Sequence, residues 1–149
     1  MLTRKGKYGL KALVHLSRMA PGESAPIGAI AAANDMPRKF LEAILLDLRK
    51  AGFVRSQKGR GGGYTLARAP DAIAIGAVIR ALDGPLAPIP CASRTAYAPC
   101  DDCADLASCS VRLVMQQVRD AMAEVLDNVS LAQMRDGADR AVALGLNSR

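Results

Sequence analysis

Four cysteines, Cys91, Cys100, Cys103 and Cys109, fall within nineteen residues of one another. Thiolates are soft donors that suit iron–sulfur clusters and zinc, and they also undergo reversible oxidation. Cys100 and Cys103 are close enough along the chain to share one centre, and Cys109 can join them. Cys91 needs only a bend of the proline-rich stretch between. Asp101, Asp102 and Asp105 add negative charge beside the thiols. That charge is expected to raise their pKa values and to blunt simple thiolate reactivity. An iron–sulfur cluster, a thiol redox pair and a structural zinc ion all remain open on this spacing.

A second set of chemistry-bearing residues is cationic. Arg4 and Lys5 open the chain, Arg38 and Lys39 lie one turn ahead of Glu42, and Lys58 and Arg60 stand among glycines. Arg and Lys contact guanine edges or phosphates, and a carboxylate can accept from cytosine N4. Glycines around a cation let backbone approach a phosphodiester chain closely. The Gly-rich stretch lacks the Lys-Ser/Thr of a nucleotide-binding P-loop. His15 is the sole histidine, with no nucleophile or carboxylate patterned around it, so a structural role and no enzymatic activity are expected.

These residues need elements to hold them. Apolar residues recur at helical spacing from Leu2 to Met19, and Pro21-Gly22 ends that run. A short helix is expected over Ile27 to Ala33, then a turn at Asn34-Asp35, then a helix from Pro37 to Ala51 with Phe40, Leu41, Ile44, Leu45 and Leu48 inward. Two helices joined by so short a turn make a helix-turn-helix. Phe53–Ser56 and Tyr64–Leu66 flank the basic glycine-rich segment as a β-hairpin, and Ile73 to Leu82 reads as a further helix. From Pro85 to Pro99 the chain is loop. Val111, Val114, Val118, Ala121, Met122, Val125 and Val129 then mark a long helix whose single apolar stripe needs a partner. Leu131 to Ala143 is a last helix, and Leu146 to Arg149 is expected to fray. The fold class is mainly α with a small β-hairpin wing: a winged helix-turn-helix followed by a long C-terminal helix.

Charge is distributed unevenly. The net +6 of 149 residues divides into +9 over residues 1–70 (thirteen Lys/Arg, four Asp/Glu) and −3 over residues 71–149 (seven and ten). A basic half joined to an acidic half suits a polyanion-binding module carrying a second device. No secretion signal or membrane span is visible, so a cytoplasmic protein is expected, where permanent disulfides are rare. A small electron carrier would have no need of the basic head. A protein-interaction module that no longer reads DNA stays as an alternative.

Three segments carry a resemblance: Leu2-Thr3-Arg4-Lys5-Gly6-Lys7-Tyr8-Gly9-Leu10-Lys11-Ala12, Phe40-Leu41-Glu42-Ala43-Ile44-Leu45, and the hairpin phrase from Ser56 to Leu66. In order and over nearly the whole chain, the sequence resembles the IscR-type (Rrf-two) family of bacterial winged-helix regulators. The resemblance implies a homodimer in which the long helices pair, with two winged heads reading a palindromic double-stranded DNA operator. It places Glu42 where the family tunes sequence preference. It also implies an iron–sulfur cluster, 2Fe–2S or 4Fe–4S, in the loop before the long helix. There Cys109 resembles the last ligand and Cys103 and Cys91 the other two, with Cys100 as an extra thiol. Two departures stand out: Arg112 occupies the place of a histidine ligand used by some members, and Lys7 that of an acidic ligand used by others. On this reading residues 1–83 form the DNA-binding domain, 84–110 the cysteine-bearing cluster loop, and 111–149 the dimerisation helix and tail. A repressor is the expected mode, because so small a chain has little surface for recruiting polymerase.

Overall fold

Thr3 starts the first helix, its hydroxyl accepting from the Gly6 amide (3.2 Å). In the computed structural model, which describes residues 2–145, that helix is α1 (Arg4–Ser17). Next come α2 (Ile27–Asn34), α3 (Arg38–Lys50), the antiparallel strands β1 (Val54–Gln57) and β2 (Gly63–Leu66), and α4 (Ile75–Asp83). After a long loop, α5 (Ser110–Asn128) and α6 (Leu131–Ala143) complete the order. The expected fraying of Leu146 to Arg149 lies outside the described residues.

The α1–α6 packing grows from the same apolar spacing that marks the helices. Leu10, Leu13 and Leu16 of α1 close on Leu41, Ile44, Leu45 and Leu48 of α3 and on Ile75, Val78, Ile79 and Leu82 of α4. Gly6 and Gly9 make the α1–α4 approach possible: a Cβ at Gly9 would lie 2.2 Å from a Leu82 methyl, and one at Gly6 the same distance from the Asp83 carboxylate. That carboxylate in turn accepts from the Thr3 amide (2.9 Å) and hydroxyl (2.5 Å).

The C-terminal helices are not a separate body. Leu86 and the fully buried Leu131 belong to the same apolar cluster as the head, so the three expected segments share one core. The Ile75 amide donates to the Val129 carbonyl and the Leu131 amide to the Ile73 carbonyl, which pins the α5–α6 corner to the start of α4. Arg80 of α4 and Asp127 of α5 form a two-pronged ion pair at 2.6 and 2.9 Å. The long helix was expected from about Val111 to Val129 and spans nineteen residues, about 28 Å at 1.5 Å per residue. Among the described residues no helix is long and apolar enough to cross a membrane.

Candidate nucleic-acid interface and cysteine loop

The turn between α2 and α3 is three residues, Asp35-Met36-Pro37. Asp35 takes a left-handed conformation (φ 51°), which a short polar side chain tolerates better than an apolar one, and Met36 is buried beneath it. Pro37 sits just ahead of the helix as its N-cap rather than within its first turn. Arg38, Lys39 and Glu42 are all exposed at the leading end of α3. Arg38 Nε lies 3.3 Å from Glu42 Oε1, one turn on, so the unbound helix presents these two as a pair.

The wing is a four-residue-per-strand ribbon with Val54 opposite Leu66 and Gln57 opposite Gly63. Lys58 and Arg60 are exposed at its tip. The tip needs glycine because its backbone folds on itself: a Cβ at Gly62 would lie 2.7 Å from the Gly59 carbonyl, and one at Gly63 only 2.3 Å from that of Ala25. The ribbon is bolted at both sides. Ala25 and Tyr64 exchange backbone hydrogen bonds (2.9 and 2.8 Å), and Ser24 donates to the Gly61 carbonyl. Arg49 of α3 donates to Ser56 Oγ at 3.1 Å. Ser24, Ala25 and Arg49 were missed by sequence reasoning, since nothing in their local spacing reports a partner on the wing.

Arg4 is exposed at the start of α1, whereas Lys5 is turned to another task. Its ammonium lies 2.7 Å from Asp47 of α3 and holds that carboxyl below the usual aspartate range. His15 is half-buried, and burial with the nearby Arg18 charge lowers its pKa, in keeping with a structural role.

The cysteines occupy the loop between α4 and α5. Cys91 is buried in a single 3-10 turn, Pro90–Ala92, where the sequence suggested featureless loop. The other three are partly exposed. A hydrogen bond between their side chains joins Cys100 to Cys91 and, with Cys103 and Asp102 adding negative charge, pushes the Cys100 thiol up to about 11. Cys103 is likewise bonded to Cys109 and raised. Cys109 goes the other way: the Arg112 amide, in the first turn of α5, holds it below the ordinary cysteine value, with Cys103 and the Val111 amide assisting. Of the three aspartates expected to raise the thiols, only Asp102 contributes, and behind the thiol–thiol interactions, at Cys100 and Cys103; at Cys109 the helix terminus reverses the direction.

The donors thus form two pairs, all sulfur, in chemistry and number suited to an iron–sulfur cluster. Among the described residues, no three His, Cys, Asp or Glu side chains converge closely enough to hold a metal ion. The fit is one of donor type and number.

Two arginines tie this loop to α5. Arg112, in the place of a histidine ligand, donates through Nε to the Cys91 carbonyl at 3.0 Å. Two turns on, Arg119 is the one buried charged side chain among the described residues; it donates to the Ala92 carbonyl and pairs with Asp120, which also takes Arg94 at 2.9 Å. The opposite face of α5 is bare. Val111, Val114, Val118 and Val125 are 60, 53, 39 and 62 % exposed, and with Ala121 they alternate three- and four-residue steps.

Comparison with known proteins places these features together. A family model described as Rrf2, iron-dependent transcriptional regulator, matches residues 2–137. An rrf2-like HTH-type transcriptional regulator of Rhodobacter capsulatus is 46 % identical over 147 residues, 97 % of this chain and 98 % of that one. The structure of CymR, the global cysteine regulator of B. subtilis, superposes with a TM-score of 0.75 at 32 % identity, covering 91 % of this chain and 96 % of the other. That of T. potens IscR superposes at 0.74 with 30 % identity, covering 95 % and 90 %. These relatives are transcriptional regulators, not enzymes, and the chain belongs to the Rrf2 family of DNA-binding transcriptional regulators.

Proposed function

We propose that this regulator is a homodimeric repressor whose operator affinity follows the chemical state of its cysteine loop. One observation carries the reading: the turn bearing Cys91 is fastened by Arg112 and Arg119 to one side of α5, while the other side of the same helix carries the bare valine seam. Apolar residues at alternating three- and four-residue steps are the pattern of a helix pair. Pairing along that seam would bury about five apolar side chains and set the separation of two heads, so a shift of the Cys91 turn acts on the element that spaces them.

On this reading Arg4, Lys5, Arg38, Lys39, Glu42, Lys58 and Arg60 form the DNA surface, with Lys5 exchanging Asp47 for phosphate. Residues 1–83 are the reading head, 84–110 the sensing loop and 111–149 the pairing element. Cys91, Cys100, Cys103 and Cys109 would hold an iron–sulfur cluster, 2Fe–2S or 4Fe–4S, and the iron dependence in the family's description supports that choice. When bound, the cluster supplies a centre whose gain, loss or oxidation depends on iron and oxidants. The chain's own residues do the rest: Cys91 draws its buried turn toward the centre, first-turn amides lower the pKa of Cys109, and the arginines carry displacement to α5.

A second reading rests on the thiol pairing itself. Cys91 with Cys100, and Cys103 with Cys109, interact through their side chains, and each pair would lose two electrons and two protons to a peroxide to form a disulfide, with no metal involved. Purification without oxygen, an absorption spectrum with iron and sulfide assay, and operator titration of loaded, stripped and peroxide-treated protein separate the two. Brown protein whose affinity changes on stripping supports the cluster; colourless protein that responds to peroxide supports the thiols. Equal affinity in every state removes the switch.

A further inference from the structure

The recognition helix carries an apolar side chain where cations would be expected. With Leu41, Ile44, Leu45 and Leu48 inward, a helix of 3.6 residues per turn puts Lys39, Ala43, Leu46 and Lys50 within about 60° of one another, on the side facing away from the core. Leu46 is 41 % exposed and lies outside the apolar cluster that Phe40, Leu41, Ile44, Leu45 and Leu48 of α3 join. Among the described residues, the apolar core does not account for a leucine there.

Duplex DNA does account for it. A helix lodged in the major groove presents residues at i, i+3, i+4 and i+7 to the base edges, and from Lys39 those are Glu42, Ala43 and Leu46. Groove edges are carbonyls, ring nitrogens and amino groups, and covering these with an isobutyl group would strand them without partners. One apolar group is available in the groove, the C5 methyl of thymine. Ala43, small and one turn earlier, lets the helix sit close enough for contact. We propose that Ala43 and Leu46 form a methyl-reading patch, and that Leu46 selects thymine at one position of the operator. The proposal rests on α3 being the recognition helix and is independent of the cysteine switch.

Preferred duplexes are selected from a random pool with the full chain, and each thymine is then replaced singly by uracil, which removes only the methyl. Wild-type protein is expected to lose about fourfold in affinity at one thymine, the worth of one buried methyl, and little at the others. Leu46→Ala, at an exposed site, is expected to fold normally by thermal melting and to bind thymine and uracil duplexes equally at that position. Uracil replacement without effect anywhere in wild type, or a Leu46→Ala protein that keeps the full thymine preference, overturns the proposal. Lys39→Ala serves as the control that weakens both duplexes alike.

Discussion

The winged-helix head and the cysteine loop are built by different physics. In the head, side chains such as Leu13, Leu41, Ile44, Leu45 and Leu48 are fully buried against one another, and the exposed cations ride on that rigid base. In the loop, burial stops after Cys91, Ala92 and Ser93; from Arg94 to Cys109 the chain is exposed or partly so and is held by polar hooks. Apolar packing is insensitive to oxidants and metals, whereas a segment held by a few hydrogen bonds and bearing four thiols is, on the proposed function, the part that responds to them.

Breaking the head at its centre gives the largest effect. Leu45→Ala is expected to cost about 3 kcal/mol in denaturant unfolding, whereas Leu106→Ala in the loop is expected to cost less than about 1 kcal/mol. Comparable losses would erase the contrast. Next, Arg38→Ala combined with Arg60→Ala should weaken duplex binding roughly a hundredfold and lower the slope of log affinity against log salt by about 2, without moving the melting temperature appreciably. An unchanged slope would mean that neither side chain meets phosphate.

Arg119→Met sharpens the comparison at its join. It leaves the buried Ala92 carbonyl without its donor, an expected loss of about 1–3 kcal/mol, and it should flatten the affinity difference between loop states while iron or thiol content stays as in wild type. A variant that keeps the full difference would move the linkage elsewhere. The smallest effect is expected at Asp127→Asn. Arg80 holds the Asp127 carboxyl below its ordinary 3.8, so the pair's contribution is present above that pH and is lost as pH falls through the lowered value. Both groups are over a third exposed, so solvent screening limits the loss to about 0.5 kcal/mol at neutral pH, and the variant should show a shallower acid decline.

Much of this could be read from residue order. The inward stripes of α1, α3 and α4, the Pro-flanked turn, the basic glycine-rich hairpin and α6 all depend on neighbours within a turn or two, where spacing and side-chain type decide conformation. The three cation groups and the cysteine run were visible for the same reason. The partners were not. Lys5 looks like any other cation of the basic opening until α3 brings Asp47 within 2.7 Å of it. Cys109 looks like its three fellows until the start of α5 aims amides at its sulfur.

Local order thus determined which helices and strands form, where the charge lies and which atoms could bind iron or phosphate, because those properties follow from backbone preference and side-chain chemistry. Only the folded chain decided that Arg112 and Arg119 grip the carbonyls beside Cys91, that Ser24 and Ala25 brace the wing, and that a valine face and Leu46 are left bare. Those outcomes are contacts between residues far apart in sequence, and they exist only once the shared core has brought the distant segments together.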